Sequence, residues 1–149
     1  MFRTLIMAGL LLSPAAGAAS LPGPYPAEVL RVLDGDSFEA RVRIWLDQDV
    51  TVVVRIAGID TAELDAPCAS ARIQGAAARA FVAARLQDAD VTLKDVGRDK
   101  FGGRVVARVT LGEGGDLAEA LLAAGLARPY RARRPDWCGS AGGTPVQRG

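Results

Sequence analysis

A small α+β protein, built as a five-stranded Greek-key barrel of the OB type with two or three helices, is the fold this sequence predicts. Three observations lead there. Short β-rich runs broken by turn residues recur along the chain. One long alanine-rich helical stretch falls between the third and fourth of them. The 149 residues are 50% hydrophobic, enough for one core and too apolar for a disordered chain. The charge balance, 18 Lys plus Arg against 17 Asp plus Glu, is nearly even. Histidine is absent, which removes the Ser-His-Asp triad, the Cys-His dyad and every His-ligated zinc site. Acid or base chemistry would fall to carboxylates, with a hard, oxygen-seeking cation as the natural helper.

Residues 1–19 read as a signal peptide: Arg3 opens it, Leu5 to Leu12 is mostly apolar, and Ser13-Pro14 precedes the small residues Ala15 to Ala19. The apolar run is far shorter than the roughly 20 residues of a bilayer-spanning helix, so no stable membrane anchor is expected after cleavage. Losing Arg3 with the leader brings the formal charge from +1 to neutrality. The chain is expected in a periplasm or outside the cell.

Residues 20–26, with Pro22, Pro24 and Pro26, read as a linker, residues 27–138 as the folded domain and residues 139–149 as a flexible tail. Ala27 to Leu33 predicts a strand running into the turn signal Asp34-Gly35. In the second strand Phe38, Ala40, Val42 and Ile44 alternate with Glu39, Arg41 and Arg43, the pattern of a half-buried antiparallel strand. Val50 to Ile56 is the most β-branched run and predicts a third strand that ends near Gly58. From about Ser70 to Leu86, Ile73, Ala77, Ala80, Phe81 and Ala84 recur at helical spacing and are expected to face the core. Val91 to Val96 and Val105 to Leu111 predict two further strands around a glycine-rich hairpin. Asp116 can cap a second helix that Gly125 ends.

Two cysteines in an exported chain point to a Cys68–Cys138 disulfide, with two free thiols as the alternative. Asp34-Gly35-Asp36-Ser37 reads either as ordinary hairpin chemistry or as two carboxylates presented at a strand junction. Arg55, after three valines, either faces outward by alternation or is buried with anionic partners. Asp60 and Glu63 are either a helix-start pair or two carboxylates aimed into one cleft.

Taken together, Asp34-Gly35-Asp36-Ser37, then Arg55 with Asp60 and Glu63, then Asp99-Lys100-Phe101-Gly102-Gly103-Arg104, resemble the thermonuclease family, the staphylococcal nuclease homologues. The likeness covers roughly Ala27 to Tyr130. It implies an OB barrel and a calcium-dependent endonuclease, a hydrolase of phosphodiester bonds in DNA and RNA that leaves 3′-phosphates. By the resemblance, Asp36 and Asp60 are metal-binding carboxylates with the Thr61 carbonyl as a further Ca2+ ligand, Glu63 is the general base, and Arg55 and Arg104 are the phosphate-binding catalytic arginines. Ala62 stands where the family usually has proline, and Gly103 is an additional glycine before Arg104.

Lys100, Phe101 and Tyr130 are candidate substrate contacts, a cation and two rings for the bases of single-stranded DNA or RNA. A local patch of Lys100, Arg104, Arg128, Arg131, Arg133 and Arg134 would carry the electrostatic attraction, and the balanced total charge predicts weak, salt-sensitive binding by a monomer. The alternatives are an OB-fold module that binds nucleic acid or protein without catalysis, and a disulfide-stapled envelope protein.

Overall fold

Alternating apolar residues and tight turns close five strands into a mixed barrel in the computed structural model, which describes residues 19–112, 115–131 and 134–139. The expected signal peptide except for its last residue, Ala19, together with Arg133 and nearly all of the expected tail, lies outside these residues. The strands are β1 (Tyr25–Val32), β2 (Ser37–Trp45), β3 (Gln48–Ile56), a two-residue β4 (Ile59–Asp60), β5 (Val91–Arg98), β6 (Arg104–Leu111), and the short β7 (Gly115–Asp116) and β8 (Arg128–Pro129). Two helices are described, α1 (Ala69–Leu86) and α2 (Leu117–Ala123).

The sheet runs β3-β2-β1-β5-β6-β7, and parallel pairing of β3 with β6 closes it. All other pairings are antiparallel. Closure leaves neither β3 nor β6 as a long free edge, which protects the barrel from edge-to-edge association. The five long strands, the helix between the third and fourth of them and the closed barrel are those the sequence predicts. The core holds Phe38, Ala40, Val42, Val54, Ile56, Leu93 and Val109 from the strands, Val82 and Leu86 from α1, and Leu117 and Leu121 from α2. Asp116 caps α2 by accepting from the backbone N–H groups of Ala118 (2.9 Å) and Glu119 (3.2 Å). Gly125 follows the helix with a positive φ of 69°.

Three expectations need correction. The buried face of α1 is Ala71, Gly75, Ala78, Val82 and Leu86, whereas Ile73 is 70% exposed and Ala77, Ala80 and Ala84 face solvent. Size misleads there, because along Ala71, Gly75 and Ala78 the helix is buried through small residues, and at Gly75 it approaches its neighbours too closely for a side chain. A Cβ on Gly75 would lie 2.6 Å from the Ala62 carbonyl oxygen and 2.9 Å from that of Glu63. Secondly, Ile44 is 48% exposed, because β2 runs past the core into the hairpin tip with Trp45 and Leu46. Thirdly, part of segment 20–26 pairs with the sheet rather than linking to it. Leu21 and Val96 exchange two backbone hydrogen bonds of 2.8 Å, and Tyr25 is in register with Leu93. The prolines lack N–H groups, but their carbonyls still accept, as that of Pro22 does from Asp95 (3.0 Å).

Candidate active site

The turn between β1 and β2 presents Asp36. Asp34 Oδ1 accepts the Asp36 backbone N–H (2.9 Å), and the Asp36 carbonyl accepts from Ile56 N–H (2.9 Å), which locks the turn onto the end of β3. Gly35 is required by close approach: a Cβ there would lie 2.6 Å from Ala78 Cβ and 2.7 Å from Thr61 Oγ1. The turn therefore rests on both α1 and the segment that follows β4.

Arg55 projects from the end of β3 and joins two acids. Its Nη1 lies 3.1 Å from Asp36 Oδ2 and 3.2 Å from Oδ1, and its Nη2 lies 3.3 Å from Asp60 Oδ1. Both carboxylates are deeply buried, Asp36 at 5% exposure and Asp60 at 1%. Thr61 N–H also donates to Asp36 Oδ2 (3.4 Å), so Asp36, Arg55, Asp60 and Thr61 form one contact network. Burial above all, with the nearby Asp34 and Asp60, pushes the Asp36 carboxyl up to about 7 against the downward pull of Arg55.

The β5–β6 hairpin brings up the second arginine. Parallel pairing sets Arg55 beside Val106 and Val53 beside Arg104, so the two guanidinium groups wall one cleft of about 600 Å³. Lys100, Phe101, Tyr130 and Arg134 line the same cleft. Gly103, at φ +80°, turns the hairpin and still leaves Arg104 in the wall. Arg104 is held by Asp99 Oδ2 through Nε (2.8 Å) and Nη2 (2.6 Å). The Phe101 ring takes the Arg104 guanidinium at 4.8 Å and the Lys100 ammonium at 5.2 Å, and Arg55 lies 5.6 Å from the Tyr130 ring centre.

Glu63 borders an adjoining cleft with Asp60, Thr61, Arg134 and Trp137. Arg134 belongs to both clefts and pairs with Glu63 through Nη1 and with Asp60 Oδ1 through Nε (3.4 Å). Burial works against the Arg134 charge, but Glu63, with Asp60 and Asp36 beyond it, holds its pKa above the usual arginine range. The Glu63 segment is fixed from behind, where Arg72 Nη1 donates to the Ala66 carbonyl (2.8 Å) and Gly75 sits against the carbonyls of Ala62 and Glu63.

Asp34, Asp99, Arg134 and Trp137 enter the site without having been singled out for these roles. Trp137 Nε1 donates to Asp60 Oδ2 (3.0 Å), and Arg128 lies over the Trp137 ring at 4.1 Å. The signal in the sequence was position: Trp137 precedes Cys138, which is disulfide-bonded to Cys68 shortly after Glu63. Of the expected basic patch, Arg104, Arg128 and Arg134 are engaged by protein groups.

The donor set at Asp36, Asp60 and the Thr61 carbonyl is all oxygen and suits a hard divalent cation. Among the described residues Asp36 has Arg55 as its one ion-pair partner, while Asp60 meets both Arg55 and Arg134, and the upward displacement of the buried Asp36 carboxyl marks a place where more positive charge would be stabilising. Among the described residues no three Asp, Glu, His or Cys side chains gather as ligands, so water and substrate oxygens would have to complete the shell.

Residues 53–139 match the family described as SNase, staphylococcal nuclease homologue. No curated protein matches the chain.

Proposed function

The chain belongs to the staphylococcal nuclease homologue family, whose membership indicates a nuclease-type hydrolase acting on nucleic acid, and from that premise we propose an exported, calcium-dependent endonuclease that leaves 3′-phosphates. The observation that carries this reading is Arg55 held between the buried carboxylates Asp36 and Asp60, at the wall of a cleft it shares with Arg104.

Phosphodiester hydrolysis needs an attacking water, neutralisation of charge building on the phosphoryl oxygens, and fixed positions for both. Arg55 and Arg104 offer forked N–H donors that match a phosphate, and their carboxylate partners hold them in place before substrate arrives. Glu63, its side chain 42% exposed, takes the proton of the water once Arg134 has swung to the phosphate. Phe101 and Tyr130, both exposed, offer their rings to unpaired bases. Asp36, Asp60 and the Thr61 carbonyl are the residues that would hold calcium, which when bound supplies positive charge against the phosphoryl oxygens.

Export is supported by the Cys68–Cys138 bond, which suits an oxidising compartment, and no described helix is long and apolar enough to cross a membrane. The test is to incubate the oxidised chain with single-stranded DNA in calcium or in chelator. Calcium-dependent degradation that Glu63→Ala abolishes in a folded protein supports the proposal. Retained DNA binding without cleavage would favour a binding module instead.

A further inference from the structure

The segment from Arg134 to Gly139 has neither helix nor strand, yet it delivers an indole N–H to a buried carboxylate in the middle of the site. Asp60 is held from two sides. Arg55 Nη2 and Arg134 Nε reach its Oδ1 at 3.3 and 3.4 Å, and Trp137 Nε1 reaches its Oδ2 at 3.0 Å. A carboxylate gripped at both oxygens has little freedom to rotate, and its direction decides which lone pairs remain for a cation.

The indole is itself secured. Arg128, which is in register with Asp60 across the β4–β8 pair, stacks 4.1 Å above the ring and donates from Nη1 to the Asp136 carbonyl (3.0 Å). The ring packs against the small cluster of Ala62, Ala66 and Ala71, beside Cys68. The Asp136 side chain turns the chain by accepting from the N–H groups of Cys138 (3.0 Å) and Gly139 (2.7 Å). Cys138, next to Trp137, is then bonded to Cys68, the residue before the first turn of α1.

We propose that Trp137 is a positioning residue for Asp60, and that the Cys68–Cys138 disulfide keeps it in place, so that cation binding is tuned in the oxidised chain. The inference rests on the reading of Asp36 and Asp60 as cation ligands. Its physical basis is that hydrogen-bond donors behind a ligating group set the orientation of that group, and their removal typically weakens metal binding ten- to a hundred-fold. The disulfide confines the irregular segment that carries the donor, a constraint that no repeating backbone ladder provides there.

The test measures the ion rather than turnover, on the full oxidised chain. In the Trp45→Phe variant, which leaves Trp137 as the sole tryptophan, terbium is titrated while the indole is excited. Sensitised emission that excess calcium removes is expected, since the indole contacts Asp60 directly. Calcium is then titrated calorimetrically into the unaltered chain, into Trp137→Phe, which keeps an aromatic ring and loses the N–H, and into the Cys68→Ala/Cys138→Ala double variant. The calcium Kd should rise about ten- to a hundred-fold in Trp137→Phe with an unchanged circular dichroism spectrum, and comparably in the double variant. With terbium excited directly, Trp137→Phe should also shorten the emission lifetime, as water replaces a carboxylate oxygen. A Trp137→Phe protein that binds calcium as tightly as the unaltered chain overturns the positioning role, and unchanged affinity in a folded cysteine variant overturns that of the disulfide. If the cysteine variant does not fold, the same calcium titration on the unaltered chain after reduction of the bond decides, unchanged affinity again overturning the role of the disulfide. An unaltered chain that binds neither ion overturns the cation reading itself, a failure distinct from the other two.

Discussion

Glu63 and Arg134 form an ion pair at the boundary between two clefts, one walled by Arg55 and Arg104 and the other by Glu63 and Trp137. The side chains are 42% and 55% exposed, so the pair contributes at most about 1 kcal/mol and can open at little cost. Arg134→Ala should change the unfolding free energy by less than ~1 kcal/mol. It should raise KM for single-stranded DNA several-fold and leave kcat undiminished, because the cleft loses a cation and Glu63 loses a competitor. Steady-state kinetics beside a urea melt checks both halves, and a large fall in kcat would contradict this role.

Glu63→Gln keeps the shape of the side chain and removes its basicity. A positioned general base typically contributes 10²–10⁴-fold, so single-turnover cleavage should slow by about that factor while calcium affinity stays near its original value. A loss of less than about tenfold would remove Glu63 from the role of base.

Arg55 is expected to stabilise the fold as well as to meet the phosphate. Its removal leaves Asp36 and Asp60 buried without their shared guanidinium, and breaking a buried pair in this way costs about 3–5 kcal/mol. Arg55→Ala should therefore lose activity and unfold at lower urea, and saturating calcium should restore part of the lost stability. Equal midpoints for variant and unaltered protein in chelator would show that the network carries no such weight.

Asp36 gives a pH dependence whose sign can be worked out. Its carboxyl titrates near 3.8 when unfolded and at about 7 when folded, so the folded state binds more protons between those values. In chelator, stability should fall as pH rises from about 4 to about 7, by at most about 1.4 kcal/mol per unit from this group, and level off above. Asp36→Asn should flatten that trend. Calcium should oppose it, since a cation stabilises the ionised carboxylate. Urea unfolding from pH 4.5 to 7.5, with and without calcium, measures all three.

Gly75 tests how α1 supports the site. The Cβ of Gly75→Ala would press on the carbonyls of Ala62 and Glu63, both backbone atoms with little room to yield. kcat should drop with a smaller change in KM, because the segment that carries Glu63 is displaced while Arg55 and Arg104, the arginines proposed to bind phosphate, are untouched. Gly102→Ala, where no atom lies near the added methyl, is the matched control.

How much of this was legible in the sequence follows from the kind of information each feature carries. Alternation in β2 and the β-branched run of β3 signal strands because side-chain period and backbone period coincide, and Asp116 signals its helix start by a local hydrogen bond. The face of α1 was misread because its tightest contacts are made by Ala71, Gly75 and Ala78, whose small side chains give a hydropathy pattern almost no amplitude. Asp36, Arg55 and Asp60 stood out by spacing and by resemblance. Arg134 stood out only as one charge of a basic patch and Trp137 not at all as a site residue, since their placement comes from a segment covalently tied to Cys68, and no periodicity announces where a folded-back segment will land.

The parallel seam between β3 and β6 has a bearing on the cell that makes this protein. Arg55 and Arg104 become neighbours only when strands from the two halves of the chain are zipped side by side. On the nuclease reading proposed above, a nascent or still-extended polypeptide thus holds the two arginines apart, and the cell that makes it meets no assembled cleft until the seam is sealed.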